Sequence, residues 1–244
     1  MRQELGNYAD LLADQRAFYE ARAPEYDEWW QRRGRYDCGP DDAAQWDQQI
    51  WQVTHAVDAL GPMGDVLELA GGTGWWSQHL VRKAASLTVI DSSAEALRIN
   101  RRRVGRSDVS YVVADIFTWR PNRCYDTVFF SFWLSHVPRD LFESFWALVG
   151  SCLRPGGRGV FIDNRRNPAR AVPDPYVIEE ADDVQRRRLA DGSGHRVVKV
   201  FYEPEGLAGQ LERLGWVAEL AGTSRFIYGS AAPRADSRAD PCVS

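Results

Sequence analysis

Asp65-Val-Leu-Glu-Leu-Ala-Gly-Gly-Thr-Gly-Trp-Trp-Ser77 is the stretch on which the fold turns. A short apolar run enters a cluster of glycines, and residues 75–83 beyond it are compatible with a helix. The next apolar run, Leu87-Thr-Val-Ile-Asp91, completes a strand, helix, strand pattern, the signature of a parallel sheet. Glycines at such a turn let the backbone approach a ligand closely, and the first N–H groups of the following helix lack intrahelical partners. A nucleotide-like ligand is the expectation.

Working outward toward the C-terminus, the alternation continues. A helix is predicted over 94–103, strands over 109–114 and 127–132, a helix over 139–153 and a strand over 159–162, which makes five parallel strands. The rhythm then changes. Segments 184–189 and 195–201 flank Asp191-Gly-Ser-Gly194 and read as a β-hairpin inserted over 183–202. A helix over 204–214 leads to strands over 216–220 and 225–228, close enough to pair antiparallel. Residues 231–244 are small, polar and proline-containing, and read as a disordered tail.

Toward the N-terminus, Leu11, Leu12, Phe18 and Tyr19 give an amphipathic helix over 8–20, which Ala23-Pro24 breaks. A polar, aromatic segment over 25–40 precedes a second helix over 41–60, with Trp46, Ile50, Val53 and Val57 on one face and Gly61-Pro62 as its end. The class is α/β, with helices on both faces of the sheet. Residues 1–60 form an N-terminal helical and aromatic cover, 61–230 the ligand-binding domain and 231–244 the tail.

Composition sets the bounds. The 244 residues suffice for one enzyme domain with appendages, and 44% hydrophobic with 26% charged residues is a globular balance. No stretch has the length of a membrane span, and Met1-Arg-Gln-Glu4 lacks the apolar run of a secretion signal, so a cytoplasmic location is expected. A net charge of -4 argues against bulk nucleic acid as partner. Cys38, Cys124, Cys152 and Cys242 show no C-x-x-C spacing, so reduced thiols and no metal are expected. Lys83 and Lys199 are the only lysines, leaving 28 of 30 basic residues as arginine, and six of the 10 tryptophans fall in the first third of the chain.

Two further carboxylates end strands on the same sheet edge as Glu68. Asp91 can accept both hydroxyls of a ribose, or it can cap the helix that follows. Asp115 can accept an exocyclic adenine amine, with Ile116 or Phe117 against the ring. A dinucleotide fingerprint would need a third glycine where Ser77 stands, which weakens a pyrophosphate reading.

Together these residues resemble the class I S-adenosylmethionine-dependent methyltransferases over residues 65–228. Residues 66–74 are similar to the family's first motif, E/D-x-G-x-G-x-G, with Ala70 in place of a glycine, where a methyl group calls for negative φ or more room. Val89-Ile-Asp-Ser-Ser93 resembles the ribose motif, Ala114-Asp-Ile-Phe117 the adenine motif, and Leu153-Arg-Pro-Gly-Gly157 the turn before strand five. The resemblance implies a seven-stranded Rossmann-like sheet and S-adenosylmethionine as cofactor. It implies cofactor contacts at Glu68, Ala70, Gly71, Gly72, Gly74, Asp91, Ser92, Asp115, Ile116 and Phe117.

Residues 126–137 resemble the family's fourth strand and the loop after it. Ser131 and Phe132 would flank the methionine part, Trp133 would face the methyl group, and His136 would be a general base or a structural histidine. Residues 18–30 are similar to the aromatic lead-in of small-molecule and quinone methyltransferases. Tyr19 and Tyr26 would then touch the methionine end, while Trp29 and Trp30 either roof the acceptor or glue the helix to the sheet. Arg165 and Arg166 could clamp a substrate carboxylate or phosphate, or sit in a solvated loop. His55, His79 and His195 read as structural.

The implied activity is methyl transfer to a small organic acceptor, on a hydroxyl or carboxylate oxygen, in secondary metabolism, within an aromatic enclosed pocket. An NAD-linked oxidoreductase and a non-catalytic cofactor-binding partner protein are the alternatives.

Overall fold

The computed structural model of the chain describes residues 2–166 and 176–235. In chain order the helices and strands are α1 (Arg2–Arg22), α2 (Tyr26–Gln31), α3 (Pro40–Ala59), β1 (Gly64–Leu69), α4 (Ser77–Leu80), β2 (Ala84–Asp91), α5 (Ala94–Val104), β3 (Ser110–Val113), β4 (Tyr125–Ser131), α6 (Phe142–Ser151) and β5 (Leu153–Asn164). They continue with β6 (Val177–Ala181), β7 (Val184–Arg188), β8 (Gly194–Val198), α7 (Pro204–Arg213), β9 (Trp216–Gly222) and β10 (Phe226–Pro233).

Seven strands form one sheet in the order β3-β2-β1-β4-β5-β10-β9. The ladders among β3, β2, β1, β4 and β5 are parallel, and β10 runs antiparallel to both β5 and β9. The chain steps from β1 outward to β3, then returns to the other side of β1 with β4. The carboxyl ends of β1 and β4 therefore diverge, which opens a crevice at that edge.

Central strands are apolar on both faces because helices cover both. Along β4 the alternation splits the core: Val128 and Phe130 pack with Leu67, Phe161 and Trp146 on one face, while Phe129 packs with Val66, Val160 and Ile162 on the other. Local signals set the helix ends. Ser93 caps α5 by accepting a hydrogen bond from the Ala96 N–H at 2.9 Å, and Gly105 ends it in a left-handed conformation. Pro40 opens α3 in its first turn, with Asp41 and Asp42 favourably placed at the positive end of the helix.

The five parallel strands and the C-terminal antiparallel pair lie where the sequence puts them, with four adjustments. The predicted hairpin gains a third strand: β6, β7 and β8 form a separate antiparallel sheet, because Val177–Ala181 pairs with β7. The helix after the glycines is shortened to α4, since β2 begins at Ala84. The Leu153-Arg-Pro-Gly-Gly157 turn is absorbed into β5, with a break in register opposite Tyr125 and Thr127. Residues 231–233 of the predicted tail belong to β10, because Ala231, Ala232 and Pro233 pair with β9; residues 236–244 lie outside the described residues.

Cys38 and Cys152 carry free thiols, whereas Cys124, in the turn before β4, is disulfide-bonded and corrects the expectation of reduced thiols throughout. Among the described residues no helix is long and apolar enough to cross a membrane.

Candidate functional site

The turn after β1 is held in an unusual backbone conformation. Ala70 has φ 53°, as does Gly72. Of the two alternatives for Ala70, negative φ or more room, the first does not hold: the turn keeps its left-handed geometry and tolerates a Cβ, at a cost of about 1–2 kcal/mol. Asn100 on α5 braces the turn, its side-chain amide reaching the carbonyls of Gly71 and Gly72 at 3.2 Å and Ser77 Oγ at 2.8 Å.

Gly71 and Gly74 serve close packing, not cavity lining. A Cβ at Gly71 would lie 2.3 Å from Val89 Cγ1, and one at Gly74 would lie 2.6 Å from the Asn100 side chain. Glu68 lies beneath the turn, 1% exposed, and accepts the Ser77 hydroxyl. Burial, helped by the nearby Asp91, pushes its carboxyl up to about 8, so it is largely neutral at pH 7.

Above the turn, at the carboxyl ends of β1 to β4, a cavity is lined by Ala70, Gly72, Asp91, Ser92, Asp115, Ile116, Phe117, Ser131, Phe132 and Trp133, with Tyr19, Tyr26 and His136 at one end. Asp91 does not cap α5, since Ser93 does. Its Oδ2 accepts from the Gly72 N–H and its Oδ1 from the Ser93 N–H, both at 2.8 Å, and its carboxylate borders the cavity. Burial raises its pKa in spite of these donors. Asp115 accepts the Phe117 N–H at 3.0 Å and forms an ion pair with Arg16 of α1 at 2.7 Å. Arg16 was not foreseen: a surface arginine on an amphipathic helix carries no signal of what it crosses.

The N-terminal cover is pinned over this cavity by polar contacts. Asp14 meets His195 at 2.9 Å, Gln15 accepts the Val198 N–H at 3.0 Å, and Asp27 takes the Thr73 hydroxyl at 2.8 Å while pairing with Arg103. Its four tryptophans divide, with Trp51 exposed on α3 and Trp46 bordering the second cavity described below. Trp30 is 4% exposed, stacks on Trp75 at 4.8 Å and lines neither cavity, whereas Trp29 borders the second cavity as well. Trp133 lies against Phe117 at 5.6 Å, within the first cavity.

Tyr19, Tyr26, Phe132 and His136 form a wall shared with that second cavity. Phe132 is itself left-handed, with φ 54°. His136 Nδ1 lies 2.7 Å from the Val198 carbonyl, which can only accept, so the proton sits on Nδ1 and Nε2 accepts the Tyr19 hydroxyl at 2.8 Å. Burial, then the positive charges of Lys199, Arg187 and Arg22, hold the imidazole well below its ordinary range. It is neutral at pH 7 and a weak base.

The second cavity, of about 300 Å³, is basic. Arg165 and Arg166 line it, joined by Arg22, Arg32, Arg187, Lys199 and Arg225, and Glu180 is the one carboxylate among its described lining residues. These added cations come from α1, the end of α2, β7, the residue after β8 and the residue before β10. No spacing rule links them. The strand alternation in 184–188 buries Gln185 and Arg187 and exposes Arg186 and Arg188, a choice of face that the sequence Val184-Gln-Arg-Arg-Arg188 does not mark. His79 meets Asp58 at 2.9 Å and His55 stacks on Trp51, away from both cavities.

The chain is similar to known methyltransferases. A family model described as a methyltransferase domain matches residues 66–157. A demethylmenaquinone methyltransferase of Renibacterium salmoninarum is 25% identical over 193 residues, covering 75% of this chain and 79% of that protein. A solved DhpI-SAH complex is 34% identical, with a TM-score of 0.78 over 93% of this chain and 98% of the other. A DhpI-SAM-HEP complex is 36% identical, with a TM-score of 0.73 over 92% and 98%.

Proposed function

The chain belongs to the class I S-adenosylmethionine-dependent methyltransferases and acts on a small molecule, and within that activity we propose that it methylates an oxygen, hydroxyl or carboxylate, of an acceptor from secondary metabolism. The observation that carries the proposal is the shared wall: the cavity at the strand ends and the basic cavity adjoin at Tyr19, Tyr26, Phe132 and His136.

The first cavity would take the cofactor. Asp91 would accept the ribose hydroxyls beside Ser92, while Ile116 and Phe117 would flank the adenine and Asp115 take its amine. Ala70 and Gly72 present left-handed backbone to the ligand, with Tyr19, Tyr26 and Phe132 toward the methionine end. Glu68, Gly71 and Gly74 would act from beneath, by shaping the turn. When bound, S-adenosylmethionine supplies a methyl group on a positively charged sulfur.

The protein's share of the work is alignment and exclusion of water. Trp29 and the arginines of the second cavity, Arg165 and Arg166 among them, would hold the acceptor against the shared wall. Trp30 would support Trp29 from behind, and Trp133 would close the cofactor side. His136, neutral and hydrogen-bonded to Tyr19, reaches an acceptor hydroxyl only through that phenol; a carboxylate acceptor needs no base.

The test is a panel of small carboxylic acids, alcohols, phenols and amines incubated with S-adenosylmethionine, with S-adenosylhomocysteine release measured and products identified by nuclear magnetic resonance. An ester or methyl ether is the expected product. Turnover confined to amines, giving N-methyl products, would overturn the oxygen assignment.

A further inference from the structure

The cations of the second cavity differ in how their charge is met. Arg166 pairs with Glu180 at 2.5 Å, Arg165 with Glu203 at 2.6 Å, and Arg32 and Arg225 take the two oxygens of Asp42 at 2.7 and 2.6 Å. Arg187 on β7 does not follow this pattern. It is 5% exposed, and its Nε and Nη2 both bond the neutral amide oxygen of Gln185, at 3.2 and 2.7 Å. The nearest carboxylate along that chain of contacts is Glu180, which takes the Gln185 amide N–H at 3.3 Å. A buried guanidinium whose hydrogen bonds end on a neutral amide keeps most of its desolvation cost.

Lys199 is 4% exposed; its Nζ donates to Ser135 Oγ at 2.7 Å and lies 3.9 Å from Asp163. Arg22, also 4% exposed, donates to the Tyr36 hydroxyl at 2.7 Å. All three side chains line the cavity, and all three act electrostatically on His136, which borders the cofactor cavity as well. The positive potential is therefore concentrated at the inner end, beside the shared wall, where an anion would find its strongest attraction.

We infer that Arg187, with Lys199 and Arg22, is an anchor for an oxyanion, and that the methyl acceptor is accordingly an anionic small molecule bearing a carboxylate, phosphoryl or similar group. The inference rests on the reading of the second cavity as the acceptor site. It moves the specificity-determining cation from Arg165 and Arg166, at the sheet edge and already neutralised, to a strand of the inserted three-stranded sheet. Guanidinium geometry suits two oxygens of one group, so lysine at 187 supplies charge without the fork.

Inorganic phosphate is the probe. Protein saturated with S-adenosylhomocysteine is titrated calorimetrically at low ionic strength, as wild type, Arg187→Gln, Arg187→Lys and the distant surface control Arg106→Gln. Wild type and Arg106→Gln bind phosphate alike, Arg187→Gln binds it tenfold or more weakly, and Arg187→Lys falls between. All four bind S-adenosylhomocysteine equally, which shows that the variants fold. Phosphate raises the Tm of the wild type and not that of Arg187→Gln, whose ligand-free Tm is no lower than wild type. Absence of phosphate binding to the wild type, equal binding by Arg187→Gln, or a lowered ligand-free Tm in that variant would each overturn the anchor. Failure of S-adenosylhomocysteine to bind strikes the donor-site reading instead, and competition between phosphate and S-adenosylhomocysteine strikes the assignment of the second cavity to the acceptor.

Discussion

The two cavities that meet at Phe132 and His136 are built in opposite ways. The cavity at the strand ends draws most of its walls from the turns after β1 to β4, with α1 and Tyr26 closing it, and its Asp91 is hydrogen-bonded to nearby backbone at Gly72 and Ser93. The basic cavity gathers side chains from α1, α2, α3, β5, the three-stranded sheet and the residue before β10, positions as far apart as Arg22 and Arg225. One is a property of the sheet's topology. The other is made by what this chain adds around it, and so it is where a choice of acceptor would reside.

The largest effect that would sharpen this contrast concerns Glu68 under the cofactor turn. Its folded pKa of about 8 stands above the ordinary 4.5, so the fold favours the protonated form and binds more protons than the unfolded chain between those values. Stability contributed by this group is full below about pH 4.5, falls as pH rises and levels off beyond about 8. The scale is several kcal/mol, since each tenfold change in proton affinity is worth ~1.4 kcal/mol. Urea unfolding at pH 5.5 and 8.5 checks it: Glu68→Gln loses this slope and gains on the wild type at the higher pH. Parallel profiles for the two proteins would mean that Glu68 is ionised in the fold.

Next in size, Asp91→Ala should weaken S-adenosylhomocysteine binding by about 1–3 kcal/mol, the worth of a lost hydrogen-bond set to a charged group. Because burial raises the Asp91 pKa, wild-type affinity should decline on acidification before an ordinary carboxylate would titrate, and the alanine variant should lack that decline. Unchanged affinity by calorimetry would remove Asp91 from the ribose role.

Sequence made the first cavity legible and left the second dark, for physical reasons. Parallel strands and glycine turns are local patterns, so Glu68, Asp91 and Asp115 could be assigned to one edge from spacing alone. The sheet order, including β10 between β5 and β9, agrees with that reading. Arg187 could not be singled out, because arginine makes up almost all the basic residues and its burial depends on pairing with β8, opposite His195. The tryptophan count was readable only in part: the rings of Trp29, Trp30, Trp46, Trp75 and Trp76 pack on one another and on Phe132, and of these Trp29 and Trp46 also border the second cavity, among cations that composition did not place there. Backbone strain was equally hidden, since Ala70 adopts a conformation that its side chain disfavours.

That strain gives a smaller prediction. Ala70→Gly should stabilise the ligand-free protein by up to about 1 kcal/mol, less the added entropy of glycine in the unfolded chain. A lower urea midpoint would show that the Ala70 methyl group packs usefully. Smallest of all, Arg166→Gln breaks an ion pair between exposed side chains and should change stability by under ~0.5 kcal/mol, with S-adenosylhomocysteine affinity intact. A large loss of either would merge the two cavities into one structural unit.

A crystal structure with S-adenosylhomocysteine tests the central claim most directly. The account predicts ribose hydroxyls within hydrogen-bond distance of Asp91 and the sulfur at the Phe132 and His136 wall, facing the arginine-lined cavity. S-adenosylhomocysteine seated among the arginines, or with its sulfur turned away from that wall, would contradict it.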